Sequence, residues 1–374
     1  MKKILLIFGT RPEAIKMAPL ISFMKNSKKM EVLTCSTGQH KEMLQQVVDF
    51  FGLSIDFTID CMRPNQTLTG LTSLVLTELQ KILNDCKPDM VIVQGDTTTA
   101  FAGALAAFYS KIPVAHIEAG LRTYDKYSPW PEEINRQLIS RIACYHFAPT
   151  KTAKQNLLKE GIPEGEIAVT GNTVIDALFD AYKIIDSDKN FQSKLLGNYN
   201  FLNTERKIIL VTGHRRENFG HGFEEICKAI KEISKRDDVL VIYPVHLNPN
   251  VQKPVKEYLS NSSNIILLPP LDYPTFLYFM RKSYFILTDS GGVQEEAPSI
   301  GKPVIVMRDT TERPEAVAAG TVILSGANSQ EIVQDAFRLL DDIQLYKDMS
   351  RAINPYGDGK ACVRIQNYLS DKWL

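Results

Sequence analysis

The chain has 374 residues, 44% of them hydrophobic, and 43 basic side chains balance 43 acidic ones. That length suits two hydrophobic cores better than one, and a zero net charge supplies no long-range field to recruit nucleic acid or a membrane surface. No apolar stretch approaches the ~18 residues of a spanning helix, and the six cysteines include neither a Cys-x-x-Cys pair nor zinc spacing, so we expect reduced thiols, a cytoplasmic location and no metal.

The first apolar run, Ile4-Leu5-Leu6-Ile7, reads as a buried strand and is too short for the core of a signal peptide. After Gly9 the pattern becomes helical, with Ala14, Met17, Ala18 and Ile21 on one face and Thr10 and Glu13 spaced as a capping box. Pro19 predicts that this helix kinks or ends within about two turns. Arg11 and Lys16 therefore stand at the carboxyl edge of a first strand, where open α/β sheets take their ligands, and two cations there invite an anion.

Further strands are predicted over 31–35, 90–94, 113–117, 145–148 and 166–169, then over 207–212, 239–243, 264–268, 284–287, 303–306 and 321–324. Helical patterns lie between them, among others at 67–86, 97–110, 132–143, 221–235 and 328–342, and the polar stretch 186–206 reads as a separator of two halves. The alternation predicts an α/β protein of parallel sheets covered by helices on both faces: two Rossmann-like domains facing each other across a cleft. A functional hinge is expected near Gly171.

Four strand ends deliver chemistry to one rim of their sheets. Ile92-Val93-Gln94-Gly95 leads to Asp96, Val114-Ala115-His116-Ile117 to Glu118, Ile209-Leu210-Val211-Thr212-Gly213 to His214 and Arg215, and Ile286-Leu287-Thr288-Asp289 to Ser290-Gly291-Gly292. Each has an ordinary reading: Asp96 before three threonines fits a helix N-cap, a lone His is usually structural, and Ser-Gly-Gly makes a turn. Four such clusters on one rim argue for a site. Ser290-Gly291-Gly292 is the better phosphate cradle, since glycine lets backbone N–H groups approach an anion, and Glu296 one turn on is within reach of ribose hydroxyls. No Gly-x-Gly-x-x-Gly follows the first strand, which argues against a tightly held nicotinamide, and Gly357-Asp358-Gly359-Lys360-Ala361 lacks Walker A spacing, so no cofactor is expected.

Several blocks together resemble the bacterial non-hydrolysing UDP-N-acetylglucosamine 2-epimerases. They are Phe8-Gly9-Thr10-Arg11-Pro12-Glu13-Ala14, Gly95-Asp96-Thr97-Thr98, His116-Ile117-Glu118-Ala119-Gly120-Leu121-Arg122 and Ser128-Pro129-Trp130-Pro131-Glu132-Glu133. Thr212-Gly213-His214-Arg215-Arg216-Glu217-Asn218, Tyr243-Pro244-Val245-His246, Asp289-Ser290-Gly291-Gly292-Val293-Gln294-Glu295-Glu296 and Arg308-Asp309-Thr310-Thr311-Glu312-Arg313-Pro314 continue the match in order. The resemblance implies a glycosyltransferase-B-like fold, a homodimer, and interconversion of UDP-GlcNAc and UDP-ManNAc for surface polysaccharide synthesis. It implies an N-terminal domain of residues 1–171, joined by about 355–374 as the last helix crosses back, and a UDP-binding domain of residues 172–354. By the same resemblance Asp96, Glu118 and Glu132 are the catalytic carboxylates and His214 sits beside the diphosphate. Arg11, Lys16, Phe276, Ser290, Gly291, Gly292, Glu296 and Arg313 bind the nucleotide sugar. Gln39, Arg215 and His246 lie in blocks resembling a second, activating UDP-GlcNAc site, although Glu42 and Asn65 stand where some regulated members carry glutamine and, nearby, arginine.

The residue inventory suits an elimination. No carbonyl acidifies the C2 proton of an N-acetylhexosamine, so one route expels UDP from C1 while a base removes that proton, and then reverses from the other face. It needs a cationic grip on the diphosphate and carboxylates near C2. The inventory leaves open which carboxylate is acid and which is base. A UDP-sugar glycosyltransferase of the same architecture and a non-catalytic UDP-sugar-binding regulator are the alternatives.

Overall fold

The computed structural model describes residues 1–39, 41–63 and 66–373, with the side chains of all of these except 41–43. Asn65 and the side chain of Glu42 lie outside the described residues. The chain divides into two compact units, Met1–Asp180 with Tyr356–Leu374, and Ala181–Pro355. The division falls inside the helix Thr173–Ser187, beyond Gly171.

The first unit is built on β1 (Lys3–Phe8), β2 (Glu31–Ser36), β3 (Phe57–Thr58), β4 (Met90–Gln94), β5 (Val114–Ile117), β6 (Tyr145–Ala148) and β7 (Ile167–Val169). They form one sheet in the order β3-β2-β1-β4-β5-β6-β7, with every pair parallel. Ile4 through Phe8 are completely buried, as a central parallel strand covered on both faces requires. Leu5, Ile7, Val91 and Val93 pack with Val75, Leu79 and Leu83 of the helix Leu68–Cys86 and with the alanines of Thr98–Tyr109.

In the second unit the strands are β8 (Lys207–Thr212), β9 (Val239–Pro244), β10 (Ile265–Leu268), β11 (Phe285–Thr288), β12 (Val304–Val306) and β13 (Val322–Leu324). Their order is β10-β9-β8-β11-β12-β13, again parallel throughout. Ile209, Val211, Val241 and Phe285 join Phe223, Ile226 and Ile230 of the helix His221–Ile233 in its core. Both sheets thus reverse direction beside their first strand, between β1 and β4 and between β8 and β11, leaving a crevice at the carboxyl edge of each.

Three local details were not foreseen. The helix Arg11–Ser27 does not end within two turns but continues past Pro19, which lies inside it and is buried. Tertiary burial of Ala14, Met17, Ala18, Leu20, Ile21 and Met24 outweighs the single backbone bond that Pro19 cannot donate. Within 186–206, Lys189–Asn198 is helical, started by Asp188, whose carboxylate accepts from Phe191 N at 2.9 Å. The two-residue β3 is too short to leave an alternation in the sequence. The C-terminal helix Ala361–Lys372 belongs to the first unit: Asp176 accepts from Ala361 N at 3.1 Å and Cys362 N at 3.0 Å, at its first turn. All six cysteines are free, and no helix is long and apolar enough to cross a membrane, among the described residues.

Candidate functional site

At the crevice of the first unit the chain leaves β1 through Gly9, where a Cβ would lie 2.1 Å from Thr37 Oγ1 and 2.4 Å from Thr99 Oγ1. Only glycine lets the turn pass that close. Arg11 then opens its helix. Glu13, in the capping-box position, is buried, and its Oε2 accepts from Gly9 N (3.2 Å), Thr10 N (2.8 Å) and Thr10 Oγ1 (2.7 Å). Its other oxygen accepts from Thr97 Oγ1 at 2.7 Å, so one carboxylate staples the turn after β1 to the turn after β4. Burial lifts the Glu13 carboxyl above its ordinary range, against the pull of these donors.

The helix after β4 is capped by Thr97, whose Oγ1 accepts from Ala100 N at 3.0 Å, and not by Asp96. Asp96 is thereby released from the bland role its sequence context suggested. Its Oδ2 accepts from Arg136 Nη2 at 2.5 Å, and its carbonyl accepts from Asn135 Nδ2 at 2.9 Å. Arg136 is itself held by Glu133 at 3.3 Å, a fully buried carboxylate that also receives Thr123 N, Tyr124 N and Gln137 Nε2. On the strand side His116 Nε2 contacts the Gly95 carbonyl at 2.7 Å. Burial pushes the His116 imidazole down to about 3, so it sits neutral and its Nε2–H is the donor.

Glu118 follows β5 with φ of 65°, the left-handed region that a side chain enters at a cost of ~1–3 kcal/mol. It is buried, and its Oε2 receives both Lys16 Nζ and Gln94 Nε2. Glu132 is the first residue of the helix Glu132–Ile142 and is partly buried. Arg136 and Glu133 escaped sequence reasoning, although their i,i+3 spacing on a predicted helix was a usable signal. Gln94 left none, because a strand-end amide looks like any other. Gln39 lies beside the same turn, accepting from Thr99 Oγ1 at 3.4 Å. The cavity lined by Ser36, Leu44, Val48, Leu53 and Ile59 lies toward the β3 edge and includes none of the residues singled out from the sequence.

The second unit's crevice is made of different chemistry. Asp289, fully buried at the end of β11, accepts from His214 N and Arg215 N at 2.8 Å each, tying the turn after β8 to the turn after β11. The His214 ring stacks on His246, centroids 5.3 Å apart. Burial pushes the His214 imidazole below its usual value; Asp289 opposes this, and Arg215 and His246 add to it. Ser290 stands at the N-cap of the short helix Gly291–Glu296, but its side chain makes no capping bond there.

Arg313 lies against that helix start: a Cβ on Gly291 would be 2.4 Å from its Nη1. Arg313 is not a free cation. Its Nε donates to Glu295 at 2.6 Å and its Nη1 to Glu312 at 2.5 Å. Glu312 also receives Arg308 Nη1 at 2.8 Å and faces Arg215 Nη2 at 3.8 Å. Burial alone would raise the Glu312 carboxyl, but Arg313, Arg308 and Arg215 hold it well below the usual carboxylate range. Glu296 accepts from Tyr273 Oη at 3.1 Å, and Phe276 is half-buried on the same helix as Tyr273. The structure therefore gathers Arg11, Lys16, Gln39, Asp96, Glu118 and Glu132 in one unit, and His214, Arg215, His246, Phe276, Ser290, Gly291, Gly292, Glu296 and Arg313 in the other.

Residues 23–370 match the family model described as UDP-N-acetylglucosamine 2-epimerase. Over 372 residues the chain is 56% identical to the UDP-N-acetylglucosamine 2-epimerase of Campylobacter jejuni, covering 98% of this chain and 97% of the relative. The enzyme of Escherichia coli K12 is 54% identical over 370 residues, 99% and 98% of the two chains. A crystal structure of UDP-GlcNAc 2-epimerase from Neisseria meningitidis bound to UDP-GlcNAc superposes with a TM-score of 0.94 at 49% identity over all of both chains. The Methanocaldococcus jannaschii UDP-GlcNAc 2-epimerase in complex with UDP-GlcNAc and UDP gives 0.83 at 37% identity, over 99% of this chain and 100% of that one.

Proposed function

We propose, for a chain that belongs to the UDP-N-acetylglucosamine 2-epimerase family, a division of labour in which one unit moves protons and the other holds the nucleotide. The activity is an isomerisation, the epimerisation of UDP-N-acetylglucosamine at C2, with UDP-N-acetylmannosamine as its partner. The C1–O bond breaks with its electron pair passing to UDP, while a carboxylate takes the C2 proton, leaving a glycal. UDP adds back to C1 as a proton arrives at C2 from the opposite face.

The observation that carries this reading is the state of the first unit's carboxylates. Asp96 and Glu118, at the ends of β4 and β5 beside the reversal of the sheet, each have one oxygen bound to a cation, Arg136 and Lys16 respectively. Each is anchored at one oxygen and has a second with which to exchange a proton. Glu132, at the start of the helix that carries Arg136, is the third carboxylate of the set. His214 faces the diphosphate as it departs. Arg11, Lys16, Ser290, Gly291, Gly292 and Arg313 bind the nucleotide sugar, Glu296 its ribose, and Phe276 borders the uracil.

On this reading residues 1–171 with 355–374 form the proton-transfer domain and 172–354 the UDP domain, working in the cytoplasm toward surface polysaccharide. A homodimer is supported by the apolar side chains that the helices Thr98–Tyr109 and Glu132–Ile142 leave exposed: Phe108, Tyr109, Ile134 and Leu138. Activation by a second UDP-GlcNAc would engage Gln39, Arg215 and His246. Incubation with UDP-GlcNAc in deuterated water tests the reaction: UDP-ManNAc carrying deuterium at C2 is expected. Free ManNAc with UDP would mean hydrolysis, no change without an acceptor a transferase, and binding without exchange a regulator.

A further inference from the structure

The Asp289 carboxylate uses its two oxygens very differently. Oδ2 accepts the two backbone N–H groups of His214 and Arg215. Oδ1 is completely buried, carries no hydrogen bond among the described residues, and lies 3.7 Å from His214 Nδ1. A buried carboxylate oxygen without a donor is costly, and native folds rarely leave one without a reason. Backbone support alone needs one acceptor oxygen, which an asparagine supplies without burying a charge.

The other groups near the ring do not compete for that oxygen. His246 stacks on the His214 face, and its Nδ1 accepts from Asn248 N at 3.1 Å, so that nitrogen carries no proton. Arg215 turns toward Glu312. The His214 side chain is 43% exposed, and its Nε2 is at the opposite end of the ring from Asp289.

We propose that Asp289 is a positioning residue for His214: its Oδ1 selects the imidazole form with a proton on Nδ1 and aims Nε2 at the diphosphate oxygen that leaves C1. This rests on the placement of His214 beside the diphosphate. As the C1–O bond breaks, its electron pair stays on the UDP oxygen; the imidazole, having taken a second proton from solvent on Nε2 beforehand with Asp289 opposing the effect of burial, donates that Nε2–H to the oxygen as a hydrogen bond. On re-addition the same proton is retained by His214 while the oxygen returns to C1. The Asp289 charge stabilises the imidazolium in which both nitrogens carry protons, as a buried carboxylate does for a catalytic histidine elsewhere. The 3.7 Å separation is a contact that tightens as charge develops on the leaving group.

Asp289→Asn separates this role from support of the turn, because its amide oxygen still accepts from both backbone N–H groups. We expect kcat to fall ~10–10²-fold with KM for UDP-GlcNAc little changed. The limb of the pH profile on which activity is lost as His214 deprotonates should move to lower pH. His214→Asn should lose turnover in the same way, and Asp289→Asn added to it should cost little more. Unchanged kcat and an unmoved limb in Asp289→Asn, with His214→Asn impaired, overturn the role of Asp289. Full turnover in His214→Asn instead overturns the placement of His214. Should Asp289→Asn fail to fold, side-chain nitrogen NMR of the unaltered protein decides: Nδ1–H on His214 is expected, and a ring protonated only on Nε2 overturns the proposal.

Discussion

The two crevices start from the same backbone plan and end with opposite chemistry. In each, a parallel sheet reverses beside its first strand, and one buried acid, Glu13 or Asp289, ties together the two turns that flank the reversal. In the first unit the turns carry carboxylates, each tethered by one oxygen to a cation. In the second, arginines are tethered to carboxylates, and Arg313 is pressed onto a glycine at a helix start. Parallel topology supplies the place, and the side chains at the strand ends set its chemistry; on the proposed reading the first crevice moves a proton and the second grips an anion.

The sharpest break in this comparison is loss of the first unit's carboxylates. Asp96→Asn or Glu118→Gln should lower turnover by ~10²–10⁴-fold with a much smaller change in calorimetric titration with UDP, since on the proposed reading Ser290, Gly291, Gly292 and Arg313 of the other unit hold the nucleotide as well. Near-normal turnover in both would remove them from the mechanism.

Arg313→Ala should act the other way round, weakening UDP binding first. It also removes a guanidinium from Glu295, which is 1% exposed, so we expect a loss of up to ~3 kcal/mol in chemical denaturation. UDP affinity equal to the parent's would exclude Arg313 from the nucleotide site.

Acidification should distinguish the units directly. Burial holds the paired-strand histidines His116 and His146 neutral, at about 3 and about 4. The unfolded chain takes up their protons near the ordinary histidine value of ~6.5, so the stability these two neutral histidines contribute to the first unit is complete above that pH and is lost on descent toward 4. Both tryptophans, Trp130 and Trp373, belong to this unit, and their fluorescence reports its transition alone. His146→Leu should shift the midpoint to lower pH; an unmoved midpoint would place the acid sensitivity elsewhere.

The finest test compares adjacent glycines. Gly291→Ala must displace the Arg313 guanidinium and should cost about tenfold in UDP affinity, or ~1.4 kcal/mol. At Gly292 the nearest atom to a new Cβ is 3.8 Å away, and the alanine variant should fold normally with a smaller change in affinity. Equal losses in both variants would mean that Arg313 is not what the close approach serves.

By itself the sequence determined the parallel α/β architecture, because continuous apolar runs such as Ile4 to Phe8 can be buried only between two layers of helices. It also determined which residues stand at the strand ends, since Asp96, Glu118, His214 and Ser290 follow those runs directly. Tertiary structure decided what each of them touches. Thr97, and not Asp96, caps the following helix; Lys16 is bound to Glu118; Arg313 is bound between Glu295 and Glu312; and the burial of its neighbours carries the first helix through Pro19. The reason is physical: burial and period are local signals that a chain displays along its length. The pairing of Arg136 with Asp96 spans 40 residues, and that of Asp289 with His214 spans 75, and such pairs exist only once the strands have taken their order.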